Sequence, residues 1–532
     1  GLYFYWFRLG GRRAALGEDR NAEFSDSASA YQILVYRECF ATPAWFKGGI
    51  MYQIFPDRFF KSGEILVEKG KWLHRDWHET PEFRPNEKGK ILNNDFFGGN
   101  FRGILKKLDY LQSLHVTVIY LNPIFRAFSN HRYDTGDYMQ LDPMLGSEED
   151  FAALVSECGK RGIRLILDGV FNHTGDDSRY FNKYGTYDEI GAYQSKDSKY
   201  YSWYNFRHFP DKYDSWWGID VLPAVNENCP SYIDFITGEN GVLRRWMKYP
   251  LGGFRLDVAD ELPDEFVAKI RSAVKSANGD AVVIGEVWED ASNKIAYSTR
   301  RKYFQGEELD SVMNYPLKDA IINFVVSGNT SLLRRTVGML LDHYPKCVLD
   351  SLMNILGTHD TVRVLTALGG VCAYNKEEMA VLKLSAEQRA VATERLKIAA
   401  ILLYTFFGVP CIYYGDEIGM EGYSDPFCRK PFAWDLIDED ILSHYRWLGG
   451  LRSRYTVFRD GDYRELYHDD NCIVFERRKG KEAVITVANL GNNKYTLRFN
   501  GVLYNQLSGE QCVDRVDIEP HHIAVYGNIS II

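Results

Sequence analysis

Three carboxylates in this chain stand at the ends of short apolar runs and could serve one reaction: Asp257, Glu286 and Asp360. Around the first, the stretch Gly252–Glu261 reads GGFRLDVADE. Phe254, Leu256 and Val258 alternate with Arg255, Asp257 and Ala259, the period of two that marks a strand. Alternate strand residues point the same way, so Arg255 and Asp257 share a face. A guanidinium beside a carboxylate keeps it ionised and in place, which prepares Asp257 to act as a nucleophile. Taken alone, the pair reads equally well as a buried structural ion pair. Glu286 lies between apolar Val283, Ile284 and Val287, with Trp288 next; such a setting raises a carboxyl pKa and suits a general acid. Asp360 ends Gly357-Thr358-His359-Asp360, and by itself could cap a helix starting at Thr361.

Paired carboxylates on one rim suit glycoside hydrolysis. One attacks the anomeric carbon and forms a covalent glycosyl-enzyme; the other protonates the leaving oxygen and then activates water. His173, at the end of the run from Asp168, and His359 could donate hydrogen bonds to sugar hydroxyls or ligate zinc. No His-x-x-x-His and no Cys/His cluster supports a metal.

Eight apolar runs, each followed by a helical stretch, must position these groups: Ile50–Phe55, Thr117–Leu121, Ile163–Asp168, Gly253–Val258, Val282–Val287, Ser311–Asn314, Met353–Leu356 and Cys411–Tyr414. Helical patterns cover Gly103–Leu114, Ser147–Arg161, Asp264–Ala277 and Glu387–Thr405. This alternation predicts an α/β fold, a parallel (β/α)8 TIM barrel, whose active site lies at the strand C-termini. A doubly wound sheet is the alternative, but no GxGxxG follows an early strand. Asp257 and Glu286 lie about one βα unit apart, Asp168 and Asp257 far more, so residues 173–230 read as an inserted loop domain B after strand three. Its Trp203, Trp216 and Trp217 could stack on acceptor sugars. Beyond about Arg446 the helices end, and Tyr463–Arg478, Glu482–Asn489 and Lys494–Asn500 predict a C-terminal antiparallel β-sandwich. Residues 1–46, with strands at Leu2–Leu9 and Tyr31–Val35 and a charged loop between, are too short for a core. The expected division is 1–46 as the remnant of an N-terminal β domain, 47–445 as the barrel with 173–230 inserted, and 446–532 as the C-terminal domain.

Composition narrows the classes. The 532 residues exceed one core, and a net charge of −9 argues against nucleic acid or an anionic membrane as partner. No apolar run reaches the ~18–20 residues of a span; the longest, Ile398–Val409, is broken by Gly408 and Pro410. Nine scattered cysteines without CxxC point to a reducing, cytoplasmic compartment. The chain starts at Gly1 in what reads as mid-strand, which leaves a secreted form open. Aromatics reach 14%, an excess that is ordinary in a core and informative along a sugar-binding groove.

The stretches DGVFNH (Asp168–His173), GFRLD (Gly253–Asp257), GEVW (Gly285–Trp288) and GTHD (Gly357–Asp360) resemble the motifs of the alpha-amylase family, glycoside hydrolase family 13, in the family's order. The resemblance implies Asp257 as nucleophile, Glu286 as acid/base, and Asp360 as a third carboxylate that grips sugar hydroxyls and stabilises the transition state. It implies that Arg255, His173 and His359 bind sugar in the −1 subsite, with Asp168 a support. The stretches MYQIFPDRF (Met51–Phe59), GGNFRG (Gly98–Gly103), NHRYDTGDY (Asn130–Tyr138), LPAVN (Leu222–Asn226) and GVPCIYYGDEIGMEG (Gly408–Gly422) are similar to the neopullulanase, cyclomaltodextrinase and maltogenic amylase branch. By that resemblance His131 and Tyr133 line the −1 subsite, Tyr133 stacking on the sugar; Asp425 and Arg429 approach the same end; Trp288 borders the acceptor side.

Three residues depart from the branch: Ala224 for Lys, Val225 for Leu and Asp260 for Asn, all near acceptor subsites. The branch often binds calcium, but here the loop reads Phe60-Lys-Ser-Gly-Glu64 and the usual Gly-Asp pair is Gly99-Asn100, so no cofactor is expected to be required. By the same resemblance, residues 1–46 correspond to only the last part of the branch's N-terminal carbohydrate-binding module, which leaves monomer and homodimer open. The expected function is retaining hydrolysis of α-1,4 bonds in maltooligosaccharides, starch, pullulan or cyclodextrins, with some α-1,6 cleavage. The alternatives are an α-glucan transglycosylase or isomerase of the superfamily, and a non-catalytic glucan-binding relative, which would lack one of the carboxylates.

Overall fold

The computed structural model describes residues 1–16, 22–24 and 30–530. Eight strands close a parallel barrel: β1 Met51–Ile54, β2 Val118–Leu121, β3 Arg164–Gly169, β4 Gly253–Leu256, β5 Val282–Gly285, β6 Ser311–Asn314, β7 Met353–Ile355 and β8 Val409–Tyr413. They follow one another around the ring in chain order, and β8 pairs with β1 to close it. Each run foreseen from hydropathy is one of these strands. Their residues are buried on both faces, which is why they read as continuous apolar runs. Met51, Val118, Ile166, Ile284 and Met353 point inward and fill the barrel. Tyr52, Ile119, Leu165 and Val283 point outward to the helices. A filled barrel leaves no room for a site inside, so chemistry is confined to its ends.

Glycine is required where β4 begins. Gly253 has φ +142, and a Cβ there would lie 1.9 Å from the Val282 carbonyl oxygen. β4 therefore approaches β5 closely enough to bring Asp257 beside Glu286. Helices Glu148–Lys160, Asp264–Ala277 and Ala386–Thr405 form where the 3.6-residue period predicts them. The first is opened by a capping box at Ser147 and Asp150, the third by one at Ser385 and Gln388. The single helix expected over Gly103–Leu114 is two, Phe101–Lys106 and Leu108–Ser113, broken at Lys107.

The segment after β3 carries a hairpin, Phe206–His208 with Lys212–Tyr213, and packs largely through rings, such as Tyr201 stacked on Phe206 at 5.2 Å. Much of the aromatic excess is this core. Trp203 belongs to it: it is buried, donates its indole N–H to Ser231, and does not reach the cleft as expected of it. Helix persists beyond Arg446, through Glu439–Arg454 and Val457–Asp460. A six-stranded antiparallel sheet follows, running from Asp462 to Gly527. A register break between Arg498 and Val502 accompanies its folding over a core of Val474, Val487, Leu503 and Ile518.

At the start of the chain, Leu2–Tyr5 pairs with Tyr31–Leu34. The charged loop expected between them contains two more strands, Arg12–Leu16 and Ala22–Phe24; its residues 17–21 and 25–29 lie outside the described residues. Gln32 donates to Ser292 at 2.8 Å and accepts from Asn293 at 2.9 Å, so this sheet abuts the loop that follows β5. Among the described residues no helix is long and apolar enough to cross a membrane, and all nine cysteines are free thiols.

Candidate active site

At the C-terminal ends of the strands lies a cavity of about 1670 Å³. That exceeds the roughly 300–1,000 Å³ of a small-molecule site and has room for an oligomer. Asp257, Glu286 and Asp360 all line it, so three strand ends do converge.

Arg255 organises the floor. It is fully buried and does not itself line the cavity; the carboxylates it holds lie between it and any ligand. Its Nη1 donates to Asp257 Oδ1 at 2.7 Å and to Asp168 Oδ1 at 2.8 Å, and its Nη2 lies 2.8 Å from Glu286 Oε2. Asp168 is held further by the hydroxyls of Tyr120 at 2.6 Å and Tyr133 at 2.9 Å. One guanidinium thus serves three carboxylates. Burial, reinforced by Glu286 and Asp168, pushes the Asp257 carboxyl well up, and Arg255 offsets only part of this. That differs from the sequence reading, in which Arg255 belonged to Asp257 alone. The setting of Glu286 is also more polar than its neighbours in sequence suggest. Val258 N–H donates to its Oε2 at 2.9 Å and Trp288 Nε1–H to its Oε1 at 3.1 Å. Asp257 therefore retains a proton more readily than an isolated carboxyl does.

Asp360 is set up the opposite way. Burial raises its pKa, but His359 and Arg429 overcome this and hold it below the usual carboxylate range. Arg429 Nη2 lies 3.1 Å from Asp360 Oδ1, and its Nη1 2.8 Å from Asp425. His359 Nε2 lies 3.0 Å from Asp360 Oδ2 and 2.6 Å from the Tyr133 hydroxyl. Tyr133 has one proton, which goes to Asp168, so His359 Nε2 must be the donor between them. Gln53 Nε2 donates to His359 Nδ1 at 2.8 Å. Tyr133 also stacks one ring face on His359, at 5.3 Å and 5°, which leaves only its other face for a sugar.

His173 is 2% exposed, and neither ring nitrogen has a partner. Burial lowers its pKa to about 4, so at neutral pH it presents one unpaired donor and one unpaired acceptor to the cavity. Its ring rests on Trp216 at 5.4 Å. His131 accepts the Tyr133 N–H on Nδ1 at 3.1 Å. Burial, with Arg429 and His173 nearby, keeps it neutral, and its Nε2 lies 3.4 Å from Asn93 Nδ2. Trp288 lies flat on Tyr315, 3.8 Å between ring centroids, and is 46% exposed at the cavity wall.

Gln53 on β1 and Asn122 after β2 went unrecognised in the sequence; Asn122 is a polar residue at the end of an apolar run, the signal that found Asp257, whereas Gln53 lies inside its run, before Ile54 and Phe55. Asn122 accepts from Gln53 at 3.0 Å and donates to Tyr133 at 2.9 Å. Tyr120, in β2, and Tyr315, at the start of the helix after β6, gave no such signal, because an aromatic in a strand or helix reads as core.

The cavity is also lined by Asp134, Asp176 and Asp177. Burial, then repulsion from Asp134 and Asp176, raises Asp177 to about 7. A carboxyl whose pKa rises on folding contributes stability below its unfolded value of about 3.9, and this is lost as pH rises through about 7. Asp177→Asn removes the dependence. Relative to the parent, the variant is expected to gain on the order of 1–2 kcal/mol between about pH 5 and pH 8 in urea melts, after allowance for partial exposure. Parallel stability curves would contradict this.

A model of the alpha-amylase catalytic domain matches residues 53–445 of the chain. An amylopullulanase of Thermoanaerobacter thermohydrosulfuricus is 36% identical over 534 residues, covering 90% of this chain and 35% of the relative. A cyclomaltodextrinase of Geobacillus thermopakistaniensis is 34% identical over 509 residues, covering 92% of this chain and 78% of the relative. Among solved structures, the type III pullulan hydrolase of Thermococcus kodakarensis superposes with a TM-score of 0.77 at 29% identity, over 95% of this chain and 87% of that one. The chain thus spans about a third of the amylopullulanase it matches and most of the cyclomaltodextrinase.

Proposed function

This chain belongs to the alpha-amylase family of glycoside hydrolases, and from that membership we propose that it hydrolyses α-1,4-glucosidic bonds of starch-derived glucans with retention of configuration. The observation that carries this is Arg255 seated between Asp257 and Glu286 under one cavity. Two carboxylates on one guanidinium fit the roughly 5 Å separation of a retaining pair, in which no water stands between nucleophile and sugar. One oxygen of Asp257 attacks the anomeric carbon, whose bond to the leaving oxygen breaks, while Arg255 holds the other, Oδ1, in place. Glu286 gives a proton to the leaving oxygen and then takes one from water. Asp360, kept ionised by His359 and Arg429, accepts hydrogen bonds from sugar hydroxyls, and His173 supplies a donor on the same ring.

The acceptor side supports a second reaction, glycosyl transfer to another sugar. Trp217, Tyr297 and Trp288 are 80%, 71% and 46% exposed along the cavity, apolar faces on which an acceptor sugar would displace water. Incubation with pullulan, starch and cyclodextrin tests both readings. Panose from pullulan supports α-1,4 cleavage; maltotriose would move the preference to α-1,6. Products longer than the substrate would establish transfer. No product from any of the three would overturn the proposal.

The residues do not fit the family's calcium loop. Asn100 stands at the aspartate position, and both ends of its amide are used: Oδ1 accepts from Gly103 N–H at 2.8 Å and Nδ2 donates to the Ser62 carbonyl at 2.8 Å. A cation wants that carbonyl oxygen free and negative charge beside it. We expect EDTA to leave Tm and kcat unchanged; a Tm drop reversed by calcium would contradict this.

A further inference from the structure

Val258 follows Asp257 and has φ 45, ψ 49, in the left-handed region. It is the one β-branched residue with positive φ among the described residues, and the conformation is costly for such a side chain. The strain has a visible product: in this conformation the Val258 N–H points at Glu286 Oε2, 2.9 Å away. The short turn Ala259–Glu261 comes next. Ala259 packs against Gly285, where a Cβ would stand 3.2 Å from the Ala259 methyl, so the turn sits directly on the end of β5.

Asp260, in the middle of that turn, is tied to the loop after β5 three times. Its Oδ2 lies 3.0 Å from Lys294 Nζ. Its Oδ1 accepts from the Tyr303 hydroxyl at 2.9 Å. Its carbonyl accepts from Arg301 Nη2. Such a set of ties over-determines a strained backbone. We propose that Asp260 is a positioning residue: by its bonds to Lys294 and Tyr303 it holds Val258 left-handed, so that the backbone N–H fixes the acid/base Glu286.

The inference rests on the assignment of Glu286 as acid/base. The groups facing Glu286 are Arg255 and Asp257 from β4, the Trp288 N–H from its own loop, and Tyr315 after β6. Those facing Asp260 are Lys294, Tyr303 and Glu289. An N–H donor favours the carboxylate form of its partner, so its loss extends the protonated form to higher pH.

The test is the pH profile of kcat/KM on a maltooligosaccharide. Asp260→Ala is expected to move the alkaline limb up by about 0.5–1 pH unit, the loss of one donor, and to lower kcat about tenfold through misplacement. Lys294→Met breaks the same tie from the other side and moves the limb in the same direction, less far; it also serves if Asp260→Ala does not fold. Glycine adopts the left-handed region without cost, so in a Val258→Gly background Asp260→Ala is expected to shift the limb much less. An unmoved limb, or an equal shift in both backgrounds, would overturn the inference. A crystal structure of Asp260→Ala is expected to show residue 258 at negative φ with its N–H turned from Glu286; an unchanged turn would overturn the inference whether or not the parent is active. A parent inactive on every glucan would instead sink the assignment of function, and the crystal structure would still decide the role of Asp260.

Discussion

Asp257→Asn is expected to lower kcat on every glucan on the order of ten-thousand-fold, with KM changed far less. Asparagine keeps an oxygen that can accept from Arg255 Nη1, now 2.7 Å from Asp257, but it cannot form the glycosyl-enzyme. The stability of this variant is expected to hold or rise. Three carboxylates surround Arg255, and burial with mutual repulsion pushes Asp257 up, so one charge fewer relieves the site. A gain in Tm together with a loss of turnover is the signature of a group kept for chemistry at the expense of stability. A large drop in Tm would mean that Asp257 is chiefly a structural ion-pair member, the reading that the sequence alone left open.

Glu286→Gln has the second largest expected effect, and it depends on the leaving group. On oligosaccharides, whose leaving oxygen needs a proton, kcat is expected to fall about a hundred- to ten-thousand-fold. On maltosyl fluoride, which leaves without protonation, the first step is expected to survive, so that the glycosyl-enzyme accumulates. Added azide, a nucleophile that needs no base, is then expected to restore turnover and to appear in the product. Equal losses on both substrates, without azide rescue, would remove Glu286 from the acid/base role. Val258 N–H bonds Oε2 and Trp288 Nε1–H bonds Oε1, so glutamine keeps an acceptor for only one of them, and the azide rescue rather than the size of the loss isolates the proton.

Much of this site was legible in the sequence because a parallel barrel strand is written twice. Its apolar run marks the strand, and the polar residue that ends the run marks the rim. Asp257, Glu286 and Asp360 were found that way, and β4 and β5 lie where the Gly253 and Gly285 positions announce them. What was not legible is the electrostatics. Spacing placed Arg255 beside Asp257, but it could not show that Asp168 and Glu286 compete for the same guanidinium. It cast Glu286 in an apolar setting because its sequence neighbours are apolar. Its spatial neighbours, a backbone N–H and an indole N–H, come from a turn and a rotamer that no periodicity encodes. Trp203 failed for the converse reason: an aromatic in a polar insertion resembles a sugar platform until its burial is known. Asp260 was noticed only as an unusual residue, and its partners Lys294 and Tyr303 come from the next βα loop.

The most direct test of the account is to trap the intermediate. Glu286→Gln would be incubated with a fluorinated maltosyl fluoride, digested, and mapped by mass spectrometry. The account predicts one added glycosyl mass on the peptide that contains Asp257, and α-configured sugar in the slow product seen by NMR. A label on any other carboxylate, or β-configured product without a label, would contradict it.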